Sequence, residues 1–268
     1  VFTKFWYVVK LVWIERMAYR VNFVLEILSG LISSLIVVLL WLAIYRSAAH
    51  EVIGGYSIQE MVTYLLGAGL INTFILNTAE NPETSQSIQD GSLSALLVQP
   101  MSPYRIWLTR DLGTKAFYLF IGSAGYLVVF FLFREYLTFT MALRRVPLLI
   151  IVLLMAAVLQ FLLFEALSLL AFWVENTYGI RFTMRVIMEV IGGALIPLSF
   201  FPQLLQKVFL VLPFSFLIYL PMQMYLGKIS QGEIVIELLK EAGWIAGFAL
   251  LNLVIWKRGI RHYVAHGD

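Results

Sequence analysis

Three carboxylates interrupt apolar runs of this 268-residue chain, Glu26, Glu165 and Glu189, and each needs a chemical reason to be there. An acid at membrane depth costs about 2.5 to 3.5 kcal/mol on insertion scales, so it must pair, bind or carry something. Glu189 follows Arg185 by four residues, a spacing that puts both on one helical face and favours a plain ion pair. Asp111 and Lys115 repeat that spacing. Glu26 lies near the start of its run, where pairing with Arg20 or Asn22 is favoured over a ligand role. Glu165 stands in "FLLFEALSLL" with no neighbouring base. It either serves a path across the membrane or a seam between copies, or it makes an inter-helix hydrogen bond.

Other chemistries lack their residues. The sequence has no cysteine, which removes disulfides, thiolate metal sites and a catalytic thiol. His50, His262 and His266 fall outside the apolar runs, and none pairs with a carboxylate at metal-ligand spacing. An intramembrane hydrolase would need a His, a metal cluster or a Ser with a base at depth. No G-x-x-x-x-G-K-[ST] stretch is present to cradle nucleotide phosphates. The chain therefore reads as a non-enzyme.

The elements that position these acids follow from composition. Hydrophobic residues make up 61% of the chain and charged ones 13%, against about 45 to 50% and about 25% in soluble domains. This predicts an all-α membrane protein of one polytopic domain over 1–268. The first 20 residues have Phe2, Phe5, Trp6, Val9, Val12, Trp13 and Met17 at helical spacing opposite Lys4 and Glu15, which suits an interfacial helix. Lys4, Lys10, Glu15, Arg16 and Arg20 break up any signal-peptide core there. Six spans are expected over 23–45, 57–79, 106–133, 147–174, 183–200 and 234–256. The larger set of Lys and Arg near span ends lies on the side of both termini, which the positive-inside rule makes cytoplasmic.

Two regions depart from simple spans. "ENPETSQSIQDGSLSALLVQPMSP" predicts a helical segment over 81–99, with Asn81 as cap, Pro82 in first position, a break at Gly91, a second cap at Ser92, and a stop at Pro100 and Pro103. A mere connection needs only a few residues, so this segment is expected to receive a docking partner. The stretch over 201–226 and the residues before it hold Pro197, Pro202, Pro213 and Pro221. Such spacing forbids one straight helix and predicts re-entrant half-helices on the outer side. "GWIAG", Gly243 to Gly247, offers a small-residue face for close helix packing.

An interfacial helix, six spans, "IQDGSLSALLVQP", "LLAFWVENTYG", "IPLSFFPQLLQKVFLVLPFSFLIYLPMQMYLG" and a closing "RGIRHYVAHG" together resemble the permease subunits of ATP-binding cassette exporters of the ABC-2 type. More narrowly, they resemble bacterial permeases encoded beside an ATPase and often a second, related permease. The resemblance spans essentially the whole chain. It implies a pair of six-span permeases, of one chain or two, on two cytoplasmic ATPase subunits that hold ATP and Mg, with no cofactor in this chain and no nucleic acid as partner. It places the protein in the cytoplasmic (inner) membrane as an exporter working by alternating access. Carried over by position, Ile88, Gln89, Asp90, Gly91, Ser92, Leu93 and Leu96 form the coupling helix that meets the ATPase. Glu175, Asn176, Tyr178 and Arg181 form a second cytoplasmic contact. Glu165, Glu26, Phe200 and Phe201 are candidates for the translocation path or the dimer seam. Relatives carry an aromatic and a basic residue around the coupling helix, whereas "TAENPETSQS" has neither. A largely apolar path favours an amphipathic or lipid-like cargo. The competing reading is an ion-coupled secondary transporter, which should show broken helices in both halves; only the second half has a clearly broken segment.

Overall fold

The computed structural model describes residues 2–48, 51–79 and 81–263. Helices α1 (Phe2–Ala18) and α2 (Arg20–Ser47) run almost end to end, broken at Tyr19. Val9, Val12 and Trp13 of α1 turn inward while Trp6 and Met17 stay exposed, so only part of the expected apolar face is used. A two-stranded hairpin, β1 (Val52–Ile53) and β2 (Tyr56–Ser57), turns at Gly54 and Gly55. Two glycines between apolar-bearing strands are a hairpin signature, and this element is an addition to the expected all-helical chain.

Helix α3 (Ile58–Ile75) starts in a capping box in which Ser57 and Glu60 satisfy each other's backbone N–H. It is the most enclosed long helix, and Tyr64, Leu66 and Ala68 are fully buried. Short helices α4 (Glu83–Gln89) and α5 (Leu93–Leu97) lead into α6 (Pro103–Leu132), so Pro103 opens a helix instead of closing one. Helix α7 (Val146–Ser168) follows. Among the described residues, the helical runs Arg20–Ser47, Ile58–Gln89, Pro103–Leu132 and Leu143–Phe172 are long and apolar enough to cross a membrane.

The helix expected over 183–200 has other bounds. Helix α8 (Tyr178–Ile191) is 14 residues, about 21 Å at the usual rise and short of the ~30 Å hydrocarbon core. It ends because Gly193 sits at φ +83°, a left-handed conformation that breaks the helical path. A chain of short pieces follows, α9 (Gln203–Val211), a 3-10 turn at Pro213–Phe216 and α10 (Tyr219–Tyr225). The last helix, α11 (Gln231–Gly259), spans 29 residues and begins with a second capping box, Ser230 with Glu233. Its first half carries Glu233, Glu237, Lys240 and Glu241.

One core links α2, α3, α6, α7 and α10. A smaller cluster joins Ile88 and Leu93 to Trp107, Phe161, Leu162 and Leu169. Asn252 of α11 donates to the Leu162 carbonyl at 2.8 Å, and Gly259 lies against the Phe172 ring, so α7 and α11 run side by side in the same direction. A Cβ at Gly243 or Gly247 would meet nothing within 4 Å, so the close packing expected of that motif is not made among the described residues.

Candidate functional site

The segment between α3 and α6 is a kinked pair of helices held from several sides. The Asn81 side chain accepts from the Glu83 N–H at 3.2 Å, and α4 begins at Glu83. At the kink Gly91 has φ +80°, a conformation that costs an L-residue about 1 kcal/mol or more. Ser92 makes no side-chain cap; instead its N–H donates to Asp90 Oδ1 at 2.9 Å. Hydrogen bonds from the Ser92 side chain and backbone N–H hold the Asp90 carboxyl below its ordinary range.

The seven residues expected to meet another chain divide by exposure. Ile88, Gly91 and Leu93 are buried and Leu96 is half-buried, because the apolar side of the kink packs on Trp107 and Phe161. Gln89, Asp90 and Ser92 are exposed, together with Leu97 and Val98. The outward face is therefore polar at the kink and apolar beyond it.

The second expected contact region lies against the first. Gln89 Nε2 donates to the Glu175 carbonyl at 2.5 Å. Arg181, 2% exposed, donates to the Asn81 carbonyl. Glu175, Asn176 and Tyr178 are exposed beside it. Glu165 sits one turn from the end of α7, not mid-span, and accepts from Thr84 Oγ1 at 3.0 Å. Its carboxyl group thus ties α7 to the kinked segment through an inter-helix hydrogen bond.

Two further residues clamp this junction. Arg110 of α6 pairs with Glu15 of α1 at 2.6 Å and with Glu83 of α4 at 2.7 Å. The Tyr263 hydroxyl donates to the Gly91 carbonyl at 2.6 Å and accepts from the Ser94 N–H at 3.2 Å. Its ring meets Phe172 edge-on at 6.3 Å, so the chain beyond α11, the end of α7 and the kink form one unit. No local spacing in the sequence marks either residue.

A groove of about 890 Å³ opens between α2, α3, α6 and α8. Glu26 lines it, and its partner is the Tyr118 hydroxyl rather than Arg20 or Asn22, because α6 crosses α2 there. Arg185 and Glu189 line it as the ion pair their spacing requires, at 3.2 Å. Asp111 and Lys115 also pair, with Lys115 donating to the Ala157 carbonyl, but they are buried inside the bundle. Phe200 and Phe201 are not groove residues. Phe200 packs on Trp41 and Tyr56 at 5.0 and 6.2 Å, and Phe201 on Phe209 at 5.2 Å. Their region closes one end: the Tyr64 hydroxyl donates to the Gly193 carbonyl at 2.6 Å, and Ser199 to that of Gly54 at 3.2 Å.

Among the described residues, no group of three or more His, Asp or Glu side chains could hold a metal ion. His50 and His266 lie outside the described residues, and His262 rests on Trp173 at 6.0 Å. Over residues 13–267 the sequence matches the family described as ABC-2 family transporter protein. No curated protein matches it.

Proposed function

Because this chain belongs to the ABC-2 family of transporter proteins, membrane transport subunits that work with an ATPase component, we propose that it is one permease of an ATP-driven exporter. In this reading two six-span permeases pair on two cytoplasmic ATPase subunits, with both termini cytoplasmic in the inner membrane. Helix α8, continued by the broken stretch to Phe200, is the fifth span and α11 the sixth, α1 is the interfacial helix, and 201–226 is the outer re-entrant region. The kinked segment α4–α5 seats on the ATPase, which holds ATP and Mg, and this chain needs no cofactor.

The reading rests chiefly on one observation: the kinked segment is joined through Arg181 and Asn81 to the first turn of α8, whose Arg185 and Glu189 line the groove. A push on the kink is thereby passed along a helix to the groove wall. Tyr263 and the Thr84–Glu165 bond hold the same segment to α11 and α7, so it moves as part of a body and not as a loose loop. ATP binding closes the ATPases, the segment carries that movement, and the groove switches between inward-open and outward-open states.

The test is ATP hydrolysis by the reconstituted complex. Gly91→Pro forces φ near −65° where the chain needs +80°, and Asp90→Lys reverses the charge of the exposed kink. Each should lower transport-coupled hydrolysis by about tenfold, within the range of site-to-site coupling free energies, with membrane insertion intact. Unchanged coupled hydrolysis in both would remove the reading.

A further inference from the structure

We infer that the groove between α2, α3, α6 and α8 recognises an uncharged, hydroxyl-rich cargo, or the hydroxyl-rich part of a larger one, by presenting neutral hydrogen-bonding side chains to it. This rests on the groove being the transport path proposed above. At about 890 Å³ it falls in the usual size range of small-ligand sites. Its wall bears Ser29, Ser33, Ser34, Asn72, Thr73 and Asn77, a set of neutral polar side chains on helices otherwise rich in Leu, Ile and Val. That wall departs from the apolar path and lipid-like cargo expected from the sequence.

Charge accounting separates neutral from ionic cargo. The groove holds Arg16 and Arg185 against Glu26 and Glu189, which sum to zero. Arg185 is paired with Glu189, and Glu26 accepts from Tyr118. A charged solute leaving water here would find no surplus countercharge to offset its desolvation.

Proton accounting separates acceptors from donors. The Thr73 hydroxyl donates its one proton to the Gly69 carbonyl at 2.9 Å. At the 3.1 Å contact between Thr73 and Tyr126, the proton must therefore come from Tyr126. At the 3.0 Å contact between Tyr126 and Ser34, it must then come from Ser34. The chain of hydroxyls ends on Ser34 with its proton committed and its lone pair open to the groove. Asn72 also lines the groove, with a neutral amide. Polyhydroxylated groups supply O–H donors without charge. By contrast, the groove of about 780 Å³ between α3, α6 and α7 is walled mainly by residues such as Leu70, Phe74, Leu119, Phe130 and Leu153 and offers no comparable wall.

The test uses the chain with its ATPase in lipid nanodiscs and reads half-maximal stimulation of ATP hydrolysis together with the thermal midpoint. Maltotriose probes a free polyhydroxyl solute, digalactosyl diacylglycerol a lipid-borne one, and tetraphenylphosphonium a lipophilic cation. One of the two sugar probes should stimulate the wild type, and Ser34→Ala and Asn72→Leu should each raise its half-maximal concentration about fivefold, the scale of one lost hydrogen bond. Ser123→Ala, on an exposed face of α6 outside the groove, should leave it unchanged with an equal midpoint. Which sugar responds identifies the source. Stimulation by the cation alone, reduced by these variants, overturns the cargo class and keeps the path. No response to any probe, with hydrolysis still sensitive to Gly91→Pro, overturns the class as well. Insensitivity to both Gly91→Pro and Asp90→Lys removes the exporter reading and this inference with it.

Discussion

The Tyr263 hydroxyl is the smallest part with the widest reach. It spends its proton on the Gly91 carbonyl and its lone pair on the Ser94 N–H, so one oxygen fixes both sides of the kink. Tyr263→Phe keeps the ring against Phe172 and deletes only those bonds. The expected loss is about 1 kcal/mol of local stability, read as faster amide exchange over α4 and α5. Coupled ATP hydrolysis should fall several-fold while complex assembly is kept. Unaltered exchange in this segment would show that the ring alone sets the kink.

At the scale of elements, α11 combines firm packing with an orphaned carboxyl group. Its second half is anchored by Asn252 on the Leu162 carbonyl and by Gly259 against Phe172. Nearer its start, Glu241 is 0% exposed, and neither carboxylate oxygen has a hydrogen-bond partner among the described residues. Replacing a buried, unpartnered carboxyl group with an apolar side chain of similar size removes a desolvation cost without breaking a hydrogen bond. Glu241→Leu should therefore raise the thermal midpoint of the chain in detergent or nanodiscs. A lowered midpoint would mean that the carboxylate makes an interaction essential to the fold. The hairpin and the 193–200 strand of chain show the opposite economy, for Tyr45, Tyr64 and Ser199 each place a hydroxyl on a backbone carbonyl there.

For the whole molecule, what the sequence revealed depended on distance along the chain. The kink was legible because Asn81, Pro82 and Gly91 act on their immediate neighbours, and the ion pair of Arg185 with Glu189 because four residues make one helical turn. The stripe Asn22, Glu26, Ser29 and Ser33 on α2 has helical spacing, but the Tyr118 partner of Glu26 lies 92 positions away. Arg110 joins Glu15 across 95 positions and Tyr263 joins Gly91 across 172, separations at which no periodicity operates. The end of α8 was misplaced because the apolar composition continues through Gly192 and Gly193, while the backbone turns there. Family membership then supplied what neither spacing nor packing contains, the association with an ATPase component.

The absence of cysteine in the sequence gives direct access to the central claim. A single Asp90→Cys on the exposed kink, and a single Phe139→Cys on the exposed connection between α6 and α7, each provide a unique thiol for a short bifunctional crosslinker in the membrane-embedded complex. Seating of the kinked segment on the ATPase predicts a crosslink to the ATPase chain from position 90 and none from position 139. A crosslink from 139 with none from 90 would contradict it.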